Sequence, residues 1–219
     1  MPIFKKQHTD EYDREAILAA AAKAEKKGDL EQALAEYRKV LRWEPENAVL
    51  QVKAATLLAH TDRLDEAWSS FRAAASQHVK DGFFEKAISV YTQASAYFPK
   101  KFEVWDSLAD LYMKRERKPD ALKALLDGRH HLRELEYHRQ ATHLLRKACE
   151  IEPWHYRATY ELARLLARTG GRDQGMHLLV GLAARNRGQR LRHVRAALFR
   201  LSPTPRNAWR FLRALVRGT

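Results

Sequence analysis

The same residue types recur at intervals of 54 residues along this chain of 219 residues. Three prolines and three alanines show the interval: Pro45, Pro99, Pro153, Ala33, Ala87 and Ala141. Repetition on this scale is typical of repeat proteins, in which each structural unit packs mainly against its neighbours. The chain is therefore predicted to build a long surface from stacked units, and such a surface usually binds another macromolecule.

Between these prolines, apolar residues are spaced by three and four positions, the periodicity of an amphipathic α-helix. In the segment that ends before Pro45, Asp29 can cap the helix N-terminus and Gly28 suits the preceding turn. No segment alternates as a strand, and the intervening loops are short, which favours an all-α solenoid of antiparallel helix pairs. About twelve helices are predicted, at 10–27, 30–43, 48–60, 64–80, 83–97, 102–115, 118–134, 137–151, 156–169, 172–186, 190–201 and 206–217.

Several of these positions together resemble the 34-residue motif of the tetratricopeptide repeat. That motif places a small residue in the turn, then alanine, an aromatic residue and a closing proline. The segment 14–47 matches with Gly28, Ala33, Tyr37 and Pro45. Further matches follow at Phe71, Ala74, Gly82, Ala87, Tyr91, Ala94, Pro99, Trp105, Leu108, Ala109, Tyr112, Ala121, Ala141, Leu145, Ala148, Pro153, Leu162, Ala163 and Gly170. The resemblance covers roughly residues 14–186 and implies a right-handed α-solenoid of the bacterial scaffold type, with a protein-binding groove.

The spacing departs from the family in one respect. Ala67 and Ala87 are 20 residues apart, and so are Ala121 and Ala141. The helices at 64–80 and 118–134 are therefore predicted to close one repeat and open the next, which gives a three-helix module with a 54-residue period. Two later positions also differ from the motif: Glu136 stands where glycine is usual, and Gly175 where alanine is usual.

The motif residues are predicted to be structural. Small side chains let helix axes approach closely, and aromatic side chains fill the wedges between helix pairs, each burying on the order of 150–250 Å². The predicted contact alanines are Ala33, Ala67, Ala87, Ala109, Ala121 and Ala141. The predicted wedge residues are Tyr37, Phe71, Tyr91, Trp105 and Tyr112.

The net charge of +13 is concentrated at the C-terminal end. Residues 184–219 contain ten arginines and no lysine, aspartate or glutamate, so residues 1–183 carry only +3. We therefore divide the chain into an N-terminal segment (1–13), a tetratricopeptide-like solenoid (14–186) and arginine-rich capping helices (187–219) that continue the solenoid. In the last helix, the apolar side, including Trp209 and Leu212, is expected to cover the final repeat.

No group of residues indicates an enzyme, a metal site or a bound cofactor. The glycines at 170, 171 and 175 lack the ending of a phosphate-binding loop, and His130, His131, His138 and His143 form no recognised zinc motif. Cys149 is the only cysteine and is expected to be a buried thiol, which excludes an intramolecular disulfide and favours a cytoplasmic protein. No small-molecule substrate is expected.

Two surfaces are predicted to bind partners. Some members of the family bind a C-terminal carboxylate with a clamp of lysine and asparagine residues on successive first helices. That clamp is absent here, because Leu18 and Ala22 occupy the corresponding positions of the first repeat. Groove positions on the expected inner helices are Arg72, Glu103, Asp106, Asp110, Met113, Arg157, Tyr160 and Arg164. The basic C-terminal surface comprises Arg185, Arg187, Arg190, Arg192, Arg195, Arg206, Arg210, Arg213 and Arg217.

These features predict a scaffold or adaptor that binds partner proteins through its groove and docks acidic partners at the C-terminal arginines. The same charge also fits nucleic-acid phosphates or an anionic lipid surface, and a nucleic-acid-associated helical-repeat protein is the alternative function. Packing of the aromatic side of the last helix is expected to disfavour lipid.

Overall fold

The structure is a computed structural model that describes residues 13–216, and it divides into two compact units. The first unit extends to Tyr97 and contains α1 (Arg14–Lys27), α2 (Leu30–Trp43), α3 (Ala48–His60), α4 (Leu64–Lys80) and α5 (Phe84–Tyr97). The second begins at Phe98 and contains α6 (Phe102–Lys114), α7 (Lys118–His131), a 3₁₀ turn (Leu135–Tyr137), α8 (His138–Ile151), α9 (Tyr156–Arg168), α10 (Arg172–Arg185), α11 (Gly188–Leu201) and α12 (Pro205–Val216).

The predicted all-α fold of antiparallel helix pairs is confirmed, and the described residues contain twelve α-helices and no strand. Of the predicted N-terminal segment 1–13 only Asp13 is described, and the predicted helical residues 10–12 and Arg217 also lie outside the described residues. The proposed boundaries between segment, solenoid and capping helices stay a prediction. None of the helices in the described residues combines the length and apolarity that crossing a lipid bilayer requires.

Short polar residues and one glycine set the ends of the first helices. The Asp29 side chain accepts a hydrogen bond from the Gln32 backbone N–H, as expected for an N-cap. Asp13 and Asn47 cap α1 and α3 in the same way. Gly28 ends α1 with φ of 76°, a left-handed conformation that a residue with a Cβ rarely adopts. These local signals explain why the observed helix ends lie close to the predicted ones.

In the first unit, α4 is buried between two neighbours. It packs against α3 on one side and α5 on the other, and its Phe71 side chain is fully buried. The Phe71 ring stacks on Tyr97 of α5 at 5.9 Å between centroids. Ala67 and Ala87 are also fully buried, so these two helices approach closely. The helix predicted to serve two repeats therefore does contact both neighbours.

In the second unit, α7 occupies the equivalent place between α6 and α8. A Cβ added at Gly128 of α7 would lie 2.5 Å from Trp105 Cγ of α6 and 2.9 Å from Leu144 Cδ1 of α8. Only glycine leaves room for both neighbours at this point. Sequence analysis did not single out Gly128, because its surroundings come from helices distant in the chain.

The two departures from the family motif have structural reasons in this unit. Glu136 lies in the 3₁₀ turn that joins α7 to α8, which replaces the usual glycine turn. Helix α7 accordingly ends at His131, three residues before the predicted end. At Gly175 of α10, an added Cβ would lie 2.5 Å from the backbone oxygen of Ala163 in α9, so the two helices approach too closely for alanine.

All the predicted contact alanines are buried, and so are four of the five wedge aromatics. Tyr112 is the exception: it is half-buried near the end of α6 and lies under the guanidinium of Arg117 at 4.8 Å. Further along, Leu179 and Leu182 of α10 pack with Val194 and Ala197 of α11, which extends the core of the second unit.

Candidate binding groove and basic surface

Two carboxylates predicted to line the groove are held by a lysine of a neighbouring helix. Lys147 of α8 places its Nζ 2.6 Å from Asp106 Oδ1 and 2.8 Å from Asp110 Oδ1, one turn apart on α6. Burial opposes the charge of Lys147, but the hydrogen bonds it donates to the two carboxylates outweigh burial and raise its pKa. His143 Nε2 lies 3.3 Å from Asp106 Oδ1. These acids are therefore already compensated within the chain.

The other predicted groove positions lie apart from this bridge. Glu103 is exposed on α6, and Met113 is half-buried near the end of the same helix. Arg72 is exposed on α4 of the first unit. None of these three lines the cavity described next, within the part of the chain that the structure describes.

Three predicted groove residues, Arg157, Tyr160 and Arg164, come together on α9. They line an open cavity of about 270 Å³ in the second unit. Five residues that sequence analysis did not select complete the wall: Arg129 of α7 and Tyr156, Glu161, Leu165 and Arg168 of α9. We call this cavity the α9 pocket.

The α9 pocket contains four arginines and one glutamate. Arg157 Nε lies 3.1 Å from Glu161 Oε1, and Arg129 Nε lies 3.5 Å from Glu161 Oε2. Arg164 and Arg168 form no ion pair with any residue between 13 and 216. The pocket therefore carries an excess of positive charge that the surrounding chain does not neutralise.

The pKa of Arg129 is lowered, which reflects this environment. Burial is the largest cause, the charge of Glu161 opposes it, and Arg133, Arg168 and Arg164 lower the pKa further. An arginine remains protonated despite such a shift. The lowered pKa therefore indicates that keeping Arg129 positively charged in this environment costs free energy.

Two tyrosines in the wall of the α9 pocket belong to a row of aromatic and guanidinium groups that extends beyond the pocket to α11. The Tyr156 and Tyr160 rings stack at 5.8 Å between centroids with an interplanar angle of 13°. Arg190 of α11 lies 5.1 Å from the Tyr156 centroid, and Arg164 lies 5.7 Å from the Tyr160 centroid. This row orients two arginines and connects α9 with α11.

The basic C-terminal arginines divide into two groups. Arg185 lies 4.0 Å from the Trp154 ring centroid and, like Arg190, packs on an aromatic ring. The second group consists of Arg195, Arg206, Arg210 and Arg213. These arginines line a cavity of about 510 Å³ between α11 and α12, together with Leu191, Trp209 and Ala214. Burial, then Arg210 and Arg213, lowers the pKa of Arg195. Arg187 is exposed outside both groups, and Arg192 is half-buried.

The prediction that the apolar side of α12 covers the final repeat is wrong for its largest residues. Trp209 is 67% exposed and Leu212 is 53% exposed. The helix instead packs through Ala214, which is buried, and Phe211, which stacks on Phe199 of α11 at 6.3 Å. The phase of the helix is set by these two contacts, and they turn Trp209 outward. We expected packing of the aromatic side of α12 to disfavour lipid contact, and the exposure of Trp209 removes that argument.

The remaining candidates for chemistry have local partners. His131 stacks on Trp105 at 5.3 Å, and the His143 ring meets Phe102 edge-on at 5.2 Å. Cys149 was expected to be buried but is half-buried, with its Sγ 3.6 Å from Thr159 Oγ1. Burial raises the pKa of the thiol, although the Thr159 hydrogen bond opposes the shift.

We expect Cys149 to react slowly with a thiol reagent in the native protein. A raised pKa lowers the thiolate fraction, and each pKa unit lowers it about tenfold near neutral pH. Modification at pH 7.5 should therefore be slower in the native protein than in denaturant. Native reactivity equal to that of the unfolded chain would contradict a structural role for this cysteine.

Stacked antiparallel helix pairs make this chain a helical-repeat protein. A family model for the tetratricopeptide repeat matches residues 24–81, which include α2, α3 and α4. The predicted resemblance to the tetratricopeptide repeat family is therefore confirmed over residues 24–81. No curated protein matches the chain.

Solved structures of similar proteins share little sequence with this chain. A tetratricopeptide repeat protein from Parabacteroides merdae is 18% identical over 94% of this chain and 93% of that one, with a TM-score of 0.36. PilW, a widely conserved type IV pilus biogenesis factor, is 16% identical over 90% of each chain, with a TM-score of 0.39. YrrB, a repeat protein with an unusual peptide-binding site, is 16% identical over 90% of each chain, with a TM-score of 0.30. At these TM-scores the likenesses carry no functional argument.

Proposed function

We propose that this protein is a non-catalytic scaffold that binds a partner protein at the α9 pocket. The observation that carries the proposal is the convergence of Arg157, Tyr160 and Arg164 with Arg129 and Arg168 around an open cavity. Helical-repeat proteins commonly bind macromolecules along such surfaces. The single cysteine, Cys149, supports a reducing compartment, and we propose that the scaffold acts in the cytoplasm.

Affinity capture from lysate tests this function, with and without nuclease. We expect the wild-type protein to retain a defined set of proteins after nuclease treatment. Arg164→Glu should remove that set, because it reverses an unpaired charge in the α9 pocket. Arg146→Glu on α8 is the matched control, since it makes the same charge change at an exposed residue outside the pocket. Loss of the set with nuclease, or its survival in Arg164→Glu, would contradict the proposal.

A second candidate function uses the basic C-terminal surface. Arg206, Arg210 and Arg213 surround a cavity beside the exposed Trp209, and basic residues with an accessible aromatic ring suit single-stranded nucleic acid. Binding of a labelled oligonucleotide should then weaken steeply as salt is raised. It should also weaken in Arg210→Ser/Arg213→Ser. Affinity that is unchanged in that variant excludes this surface as the nucleic-acid site.

A further inference from the structure

The two unpaired arginines of the α9 pocket are spaced to hold carboxylates. Arg164 and Arg168 are four residues apart on α9, so their side chains leave the same face of the helix about 5–6 Å from each other. Each guanidinium presents a planar fork of donors that matches a carboxylate. Because Glu161 is already shared by Arg157 and Arg129, no acid of the pocket remains for them.

A third arginine of the pocket adds positive charge without a full set of acceptors. Arg129 donates through Nη1 to the backbone oxygen of Leu132 at 3.0 Å, and its buried Nε lies 3.5 Å from Glu161 Oε2 but forms no hydrogen bond within the described residues. Buried donors of charged groups are costly when they are left without an acceptor. Because this Nε is buried, a ligand carboxylate in the cavity interacts with the charge of Arg129 and not with that atom. The lowered pKa of Arg129 is consistent with this incomplete compensation.

The tyrosines of the pocket are already engaged with one another and with arginines. The Tyr156 ring contacts the guanidinium of Arg190 and stacks on Tyr160. The Tyr160 ring also contacts the guanidinium of Arg164. Nucleic acids bind such surfaces by stacking bases on free aromatic faces. Because these rings are occupied, the pocket offers charge and hydrogen-bond donors instead of a stacking platform. Its open volume of about 270 Å³ leaves room for more than one carboxylate.

We propose that the α9 pocket binds the side-chain carboxylates of an acidic peptide segment, with Arg164 and Arg168 as the donors and Arg129 as a third positive charge in the wall. This inference rests on the proposed scaffold function and specifies the chemistry of its partner. Tyr160 positions Arg164 through the contact between the guanidinium and the ring. The bound segment would carry at least two neighbouring aspartates or glutamates, because two separate guanidinium groups are free.

Fluorescence anisotropy with a labelled octaglutamate peptide tests this inference on the full chain. At about 0.15 M salt, where long-range charge effects are screened, we expect Arg164→Ser/Arg168→Ser to raise the Kd about tenfold or more. The matched control is Arg139→Ser/Arg146→Ser on α8, which removes the same charge from two exposed residues outside the pocket. The control should leave the Kd within about twofold of the wild type. Both variants should keep the wild-type melting temperature, because all four arginines are exposed.

Three outcomes would overturn the inference. The first is equal weakening in both variants, which means that the peptide responds to net charge alone. The second is wild-type affinity for octaglutamate no higher than for a labelled octaserine peptide. The third is that the pocket variant loses affinity for a single-stranded oligonucleotide while it keeps its affinity for the peptide.

The result can be separated from the test of the proposed function. If octaglutamate does not bind but captured proteins still depend on Arg164, the partner is not acidic and only this inference fails. If capture does not depend on Arg164, the proposed function fails whatever the peptide does.

Discussion

Phe71→Ala is expected to destabilise the first unit by about 3–5 kcal/mol, the usual cost of removing a buried phenylalanine ring. The ring is 0% exposed on α4, a helix that packs against both α3 and α5. Its removal leaves a cavity and also deletes the stacking contact with Tyr97 of α5. Because a single helix serves two neighbours here, the loss should affect both helix contacts. Chemical denaturation followed by circular dichroism measures the change.

The matched control is Ser76→Ala, an exposed position on the same helix. It should change the free energy of unfolding by no more than about 0.5 kcal/mol. A cost below about 1 kcal/mol for Phe71→Ala would mean that the wedge position does not join the three helices, and the dual role of α4 would be wrong.

Gly128→Ala is expected to destabilise the second unit by about 1–3 kcal/mol, although alanine has the higher helix propensity. The added methyl group would meet Trp105 of α6 and Leu144 of α8 at less than 3 Å, so at least one helix must shift. At an exposed helical position the same change should stabilise by about 1 kcal/mol. The sign of the effect therefore tests the close approach directly.

Lys123→Ala, at an exposed position on the same helix, controls for general changes in α7. It should have little effect on the denaturation midpoint, since it removes no buried contact. Stabilisation by Gly128→Ala would show that α7 is not enclosed by its two neighbours and would contradict the described packing.

The helices could be predicted from sequence because local signals determine them. Asp29 and Gly28 set the boundary between α1 and α2 by capping and by a left-handed turn, and both signals involve neighbours in sequence. The 20-residue spacing from Ala67 to Ala87 likewise identified α4 as a helix with two neighbours. By contrast, the need for glycine at position 128 arises from Trp105 and Leu144, which only the tertiary fold brings together.

The candidate site was predicted only in part, for a similar reason. Arg157, Tyr160 and Arg164 were found because they share one helix face. Arg168 continues that face at a spacing of four and could have been found the same way. Arg129 had no sequence signal, since it comes from α7 and enters the pocket through tertiary packing.

The orientation of α12 differs from the one that its amphipathic pattern predicts. The pattern places Trp209 and Leu212 opposite the arginine stripe, but periodicity does not show which of the apolar residues the neighbouring helix α11 can accommodate. The stacking of Phe211 on Phe199 and the burial of Ala214 select one side and leave Trp209 exposed. The C-terminal arginines consequently lie beside an exposed aromatic ring, which separates this surface chemically from the α9 pocket.

Site-specific photo-crosslinking in cells tests the central claim most directly. A photoreactive amino acid replaces Arg157, an exposed residue of the α9 pocket that is already paired with Glu161, in one variant and Arg139, an exposed residue of α8, in a control. The proposed function predicts a discrete protein adduct from position 157 that resists nuclease, with little adduct from position 139. No adduct from position 157, or equal adducts from both positions, would contradict a partner-binding role for the α9 pocket.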